Sequence, residues 1–417
     1  MLDPGRRRRP WSAVLVTAHL VLSASSHAFA ADIEHIEATG LGSTRLETLT
    51  ELLPRDLPAS FTEDEIAELE RRVRNLGLFD RVDVTVVGGV LHVDVDRKEN
   101  VEPELAFSSG ATLRDTEASG GVVHHDIDGK GTLFGVGAGY GERFAQFEIG
   151  LVQHGYRARK WSWELEGFYG GSEVRFEDGS RQWVRGRLGG EVELKPAYSY
   201  ATPIRVELSL RAYAEKSVFA EGGPAPRGGT FVGAIGELYW DRWTFHDLVP
   251  RGLLVIASAS PGFLIGANEP RHHVRLEVRA FAPYRERTVL AMRGVAEAVN
   301  AGNANHSLLL GSIEGVRGLP DTLFRDRAHA YANVELRHAI DLGRRWHVQP
   351  VIFADAARFQ VMDANGAPMA ARSALSVGAG VRLLPTALID TCLRVDVARR
   401  LLPSATWFVQ LGIDQYF

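Results

Sequence analysis

Ile204-Arg205-Val206-Glu207-Leu208-Ser209-Leu210-Arg211-Ala212-Tyr213 alternates apolar and polar side chains without a break. A period of two places Ile204, Val206, Leu208, Leu210 and Ala212 on one face of a strand. Arg205, Glu207, Ser209, Arg211 and Tyr213 fill the other. Val274, Leu276, Val278 and Ala280 alternate in the same way with His273, Arg275, Glu277 and Arg279. Leu375, Val377, Ala379, Val381 and Leu383 alternate with Ser376, Gly378, Gly380 and Arg382. The polar faces carry full charges, which the core of an ordinary sandwich does not accept without pairing. Apolar outside and charged inside is the pattern of a lipid-embedded barrel with a wet lumen.

Working outward, similar segments recur from 103–113 to 405–417, about sixteen in all, an even number as expected when both barrel ends close on the same side. Short links such as Tyr284-Arg285 are expected at one end of the barrel and long loops at the other. The connection near residues 300–326 is long, polar and without helical periodicity, which is uncommon unless a loop is functional or disordered. It carries Gly315-Val316-Arg317-Gly318. An arginine between glycines on such a loop points to a loop that folds inward and needs an anion for its charge. On the strand after it, Asn333, Glu335 and Arg337 share the inward parity. On the next strand, Phe353 and Asp355 do. Parity therefore offers Asp355 and Glu335 as acceptors for Arg317; an unpaired position on a solvated external loop is the alternative.

The chain has 417 residues, 45% of them hydrophobic, a soluble-looking average. No stretch after the N-terminus reaches the roughly 18 consecutive apolar residues of a membrane helix. The average does not argue against a barrel, whose faces alternate. Residues 1–30 read as a secretory signal peptide: Arg6–Arg9 form a basic region, Trp11–Leu22 an apolar one, and Ala28-Phe29-Ala30 the small residues of a cleavage site. The mature chain is expected to start near Ala31, which moves the formal charge from -5 to about -8. That acidic balance argues against nucleic acid as a partner. The single cysteine, Cys392, supports no disulfide framework and reads as a small filler.

Residues 31–98 form a separate small α+β unit. A strand over Asp32–Glu37 is followed by a helix over Ser43–Leu53, stopped by Pro54. A second helix opens at Thr62, with Glu65 completing a capping box and Ile66, Leu69, Val73 and Leu76 on one face. Two alternating runs joined by Gly88-Gly89 form a hairpin. With Gly77-Leu78-Phe79-Asp80-Arg81-Val82 before the hairpin, this order resembles a POTRA domain, a periplasmic module found ahead of outer-membrane barrels. An unrelated α+β domain is the alternative reading of the segment taken alone.

Together, the signal peptide, this unit and a barrel over residues 103–417 resemble the superfamily of BamA/TamA-like outer-membrane assembly factors and their two-partner-secretion relatives. The expected fold is an all-β transmembrane barrel of about sixteen antiparallel strands preceded by one POTRA domain. Val316-Arg317-Gly318 matches the family's Val/Ile-Arg-Gly run between strands eleven and twelve, with Leu319 where an aromatic is usual. Phe353-Ala354-Asp355 resembles its Phe-x-Asp-x-Gly motif, with Ala357 in place of the glycine. The resemblance favours Asp355 as the partner of Arg317. The final strand carries Gln410, Gly412 and Phe417 of the family's C-terminal assembly signal, while Gln415 replaces its penultimate aromatic. The family implies no enzyme activity and no cofactor. It implies unfolded outer-membrane or secreted protein clients, the lipid bilayer and periplasmic chaperones as partners. Clients would enter the membrane at a seam between first and last strands, where Gly110, Gly120, Gly121 and Gly412 weaken pairing. The alternatives are a two-partner-secretion transporter and a passive porin. Two-partner-secretion transporters usually carry two POTRA units and a plug helix, neither visible here, while a porin has no use for the Arg-Gly loop. An outer-membrane lipase ranks behind both.

Other clusters read as structural. His124 and His125 point to opposite faces, so with Asp126 and Asp128 they form a solvated strand end rather than a metal site. Tyr239-Trp240-Asp241 and Pro250-Arg251-Gly252 read as a strand exit and a turn. Trp161 and Trp163 share a parity that suits an interfacial girdle. No Gly-x-Ser-x-Gly elbow, P-loop or dinucleotide fingerprint is present.

Overall fold

Residues 30–108, 117–141, 144–153, 161–176, 182–196, 204–246, 249–300, 304–311, 315–319, 325–343, 346–363, 366–385 and 392–413 are described by a computed structural model. Ala28 of the expected cleavage site and Phe417 lie outside these residues. Ala30 is the first residue of a strand.

The N-terminal unit runs β1 (Ala30–Ile33), β2 (His35–Thr39), α1 (Leu46–Thr50), β3 (Ala59–Thr62), α2 (Glu63–Asn75), β4 (Phe79–Val87) and β5 (Val90–Arg97). β2 lies parallel to β5, and β5 antiparallel to β4, in a three-stranded sheet; β1 and β3 pair separately. The capping box forms at the head of α2: the Glu65 amide donates to Thr62 Oγ1 and the Thr62 amide to Glu65 Oε2. Leu69 and Val73 then pack with Leu49, Phe61, Leu91 and Val93 in the core. Each such fully buried side chain contributes roughly 1.5–3 kcal/mol. The first helix is shorter than the sequence predicts, one turn instead of Ser43–Leu53. Ser43 and Thr44 are drawn away to dock on the barrel: Thr44 Oγ1 donates to Asp126 and Asn100 Nδ2 donates to Ser43 Oγ.

The barrel follows as β6 (Val101–Ser108), β7 (Glu117–His125), β8 (Thr132–Gly141), β9 (Phe144–Gln153), β10 (Trp161–Arg175), β11 (Gln182–Pro196), β12 (Ile204–Glu221), β13 (Gly229–His246), β14 (Val249–Ile265), β15 (Glu269–Arg285) and β16 (Thr288–Asn300). It continues through β17 (Leu308–Leu309), β18 (Arg325–His338), β19 (Ile340–Asp341), β20 (Trp346–Met362), β21 (Pro368–Pro385), β22 (Leu393–Leu402) and β23 (Thr406–Ile413). Apart from the two-residue pieces β17 and β19, sixteen antiparallel strands close into one barrel, with β23 against β6. The long connection falls between the eleventh and twelfth of them, β16 and β18. Leu208 and Leu210 face outward, 58% and 68% exposed, while Glu207 and Ser209 are buried inside. A continuous outward apolar band of this kind needs lipid to cover it.

The N-terminal unit sits at the barrel end where β7 passes into β8 and β13 into β14, here the proximal end. Arg71 of α2 donates through Nη1 to the Trp243 carbonyl at 2.9 Å and to Asp241 Oδ1 at 3.3 Å. Asp126 accepts from Thr44 Oγ1 at 2.8 Å and from the Gly131 amide at 2.7 Å, and meets Arg97 at 3.3 Å.

Three expectations change here. Asp126 is no solvated strand end, because it is buried in this junction, and His125 Nε2 lies 2.6 Å from Glu102 Oε2. Tyr239-Trp240-Asp241 and Pro250-Arg251-Gly252 lie inside β13 and β14, which extend to His246 and from Val249. Links of similar length also occur at both barrel ends. The connection 301–324 alone is long, and Tyr284 and Arg285 belong to β15 rather than to its turn.

Candidate functional site: a buried charge clasp in the lumen

Strand parity brings the inward side chains of β18, β20, β21 and β22 to one patch of the barrel wall. Asn333 lies opposite Asp355, Asp355 opposite Ser376, and Gly380 opposite Asp396. Onto this patch the connection delivers Arg317. The amides of Gly315 and Val316 donate back to the Gly311 carbonyl, and the Leu319 amide donates to the Val316 carbonyl, which tightens the tip. Asn333 Nδ2 donates to the Gly315 carbonyl at 2.7 Å and to Asp355 Oδ1 at 3.0 Å.

Arg317 is 0% exposed. Its Nε donates to Asp355 Oδ2 at 2.8 Å and its Nη2 to Asp355 Oδ1 at 2.7 Å, a bidentate fork. Its backbone amide donates to Asp355 Oδ2 at 3.1 Å. Nη1 donates to Glu335 Oε1 and lies 3.7 Å from Asp396 Oδ2. The guanidinium carbon is 3.4 Å from the ring centroid of Phe353, so the charge also rests on an aromatic face. The network extends outward: Arg337 Nε donates to Glu335 Oε2 at 2.7 Å and Arg382 Nη1 to Asp396 Oδ1 at 2.6 Å. Arg394 Nε lies 3.8 Å from Asp396 Oδ2. Alternating charges in a dry site satisfy one another where an isolated charge would be costly.

The run's other residues pack. Val316 and Leu319 are buried with Val295, Leu310, Tyr331, Ala357, Phe359 and Val361. Leu319, at the position of the family's aromatic, thus fills an apolar pocket, and Ala357 lies within it. Gly318 has φ +90°, a left-handed conformation that side chains rarely adopt. Its carbonyl accepts from Arg400 Nη1 at 3.3 Å.

The structure therefore brings Val316, Arg317, Gly318, Glu335, Phe353 and Asp355 together. Gln410 and Gly412 lie elsewhere, on β23, opposite Asp396 and Arg394. Sequence reasoning missed Asn333 as a ligand of the clasp, as well as Arg382, Asp396 and Arg400. Their inward parity on β18, β21 and β22 was the available signal. It also missed why Gly378 and Gly380 are small: a Cβ on Gly378 would come within 2.3 Å of the Phe353 ring, and one on Gly380 within 1.8 Å of Asp396 Oδ1.

Among the described residues, Glu193, Glu207 and Glu237 form a group of three carboxylates whose oxygens lie within 4.8 Å of one another. Arg205 pairs with Glu207, and Tyr239 donates to Glu237 at 2.7 Å, so protein groups already serve these acids. Cys392 is buried ahead of β22, and Trp163 is half-buried on β10.

No protein-family model matches the chain, and no curated protein matches it significantly. Solved structures do. BamA from Haemophilus ducreyi lacking POTRA domains 1–3 superposes with a TM-score of 0.55 at 13% identity, over 92% of this chain and 84% of that one. CdiB from Escherichia coli gives 0.66 at 11% identity, over 92% and 76% of the two chains. CdiB from Acinetobacter baumannii gives 0.60 at 13%, over 92% and 74%. The chain has the fold of the BamA and CdiB outer-membrane β-barrels.

Proposed function

We propose that this protein is an outer-membrane assembly or translocation factor that takes unfolded protein clients from the periplasm and passes them into the bilayer at the β6–β23 seam. One observation carries the reading. The barrel is closed by its own first and last strands, β6 and β23, where Leu411 lies opposite Phe107 and Gly412 opposite Ala106. Backbone groups left unpaired in lipid are costly and seek a partner strand, so a closing pair that parts can template a client strand.

In this reading the N-terminal unit, residues 31–98, is a periplasmic POTRA domain that receives extended clients along an exposed sheet edge. The strand and helix order supports this, as does a structural likeness whose coverage exceeds the barrel segment alone. The clasp around Arg317 braces the wall of β18, β20 and β22 while the seam works. No cofactor or covalent step is required of the chain.

Export of a client through the lumen, in the manner of a two-partner-secretion transporter, is favoured by the higher TM-scores to CdiB. Against it stands the connection 301–324, which is bonded inside the lumen and would have to move. Purified protein in liposomes is expected to speed the insertion of a urea-denatured client barrel. Insertion no faster than into empty liposomes sinks the insertase reading.

A further inference from the structure

The connection between β16 and β18 is held at a second place. A 3₁₀ turn at Ala304–His306 buries Asn305 completely. Trp183 Nε1 donates to Asn305 Oδ1 at 2.6 Å. Asn305 Nδ2 donates to Glu215 Oε1 and to Ser217 Oγ, each at 2.9 Å. Arg185 Nη1 donates to the Asn305 carbonyl. All four partners stand on β11 and β12, whereas Arg317 is bonded to β18 and β20. Strands β13 to β16 separate these two walls. The connection therefore crosses the lumen, tied at both sides.

Arginines surround the Asn305 tie at this distal end of the barrel. Arg185 and Arg187 come from β11, Arg271 from β15 and Arg325 from β18. Arg271 Nη1 donates to Tyr213 Oη, and the Arg187 guanidinium lies 5.7 Å from the Tyr213 ring. Arg271 also lies 5.3 Å from the Phe231 ring. Arg325 donates to Ser307 Oγ at 3.2 Å and to the Glu173 carbonyl at 3.3 Å. Most of the bonds they make here are to neutral groups. Glu215 is a carboxylate beside Arg185 and Arg271, its bonded partner Asn305 is neutral, and His306 lies 3.4 Å from it; the arginines at the tie outnumber this carboxylate. Nearby Asp326 faces His329, and Glu297 faces His273 and Arg275. Arginine heads lining a constriction select anions.

We infer that Asn305 is a latch, and that its release opens the distal lumen into an arginine-lined vestibule that passes small anions. This does not depend on the client-insertion reading, since a conductance needs no client. The amide is bonded through both its oxygen and its nitrogen, so one substitution removes several contacts. The Arg317 clasp is left intact.

The test is single-channel recording of the full-length protein in planar bilayers under a KCl gradient. Wild type is expected to be largely closed. Asn305→Ala is expected to raise the current at least several-fold, with a reversal potential displaced toward that of chloride. Adding Arg271→Ser should reduce that displacement. Trp183→Phe keeps a large ring and loses only the N–H donor. It should give the same change in milder form, and it carries the test if Asn305→Ala does not fold. Folded variants, scored by heat-modifiable gel mobility, that conduct no more than wild type would overturn the latch. A raised but cation-selective current would overturn the vestibule.

Discussion

Each of the three guanidinium nitrogens of Arg317 has a carboxylate oxygen within hydrogen-bond range, two from Asp355 and one from Glu335. Removing either side of the fork strands a desolvated charge, which costs about 3–5 kcal/mol. Arg317→Ala and Asp355→Ala should each lower the urea midpoint of barrel unfolding by an amount of that order. The double variant should lose little more than either single one, because the second substitution removes the stranded partner. Additive losses would show that the two residues act separately. Gly380 sits one rung away. An alanine there drives its Cβ into the Asp396 carboxylate and within 2.7 Å of the Val395 carbonyl. Gly380→Ala should destabilise the barrel by about 1–3 kcal/mol. Gly294→Ala, whose Cβ meets nothing within 4 Å, should be nearly silent in the same assay.

At the scale of elements, α2 ties the N-terminal unit to β13 through Arg71. Arg71 divides its donors between Glu68 of its own helix and the Asp241 and Trp243 acceptors of the barrel. Burial by itself would raise the Glu68 carboxyl. Arg71 and Arg72 outweigh burial and hold it below its ordinary 4.5. A carboxylate depressed on folding contributes stability that is present above 4.5 and is lost as pH falls through the lower folded value. This share of the N-terminal unit's stability should hold at neutral pH and be lost only on strong acidification. A fluorophore at exposed position 87 (Val87→Cys with Cys392→Ser) should report this as a fall in anisotropy at low pH. Glu68→Gln should remove that step; an unchanged step in the variant assigns it to another group. The capping box of α2 was legible in the sequence because it uses residues three apart. The shortening of α1 was not, because Asp126, which draws Thr44 away, is remote in the chain.

For the whole molecule, the tied connection braces the wall of β18 to β22, and the proposed client route lies beside it, at the closing pair β6–β23. A disulfide across that pair (Ala106→Cys with Gly412→Cys, in a Cys392→Ser background) should abolish client insertion and release it again on reduction. Full activity of the oxidised, cross-linked protein would rule out the seam as the route. The docked N-terminal unit lies against the proximal end, on the β7–β8 turn and on β13, so under the proposed function a client bound to it would start beside the barrel.

The sequence by itself determined the barrel, its roughly sixteen strands, the site of the long connection and the inward face of Asp355 and Glu335. Those properties follow from a period of two and from strand counting, which are local. Only the tertiary structure decided that Asp355 and Glu335 share Arg317, that Leu319 fills an apolar pocket, that Gly378 and Gly380 make room for a ring and a carboxylate, and that Asn305 ties the connection to the far wall. Each of these joins side chains from different strands or from a strand and the connection. Parity says which way a side chain faces, but the register and curvature of the closed barrel decide what it meets.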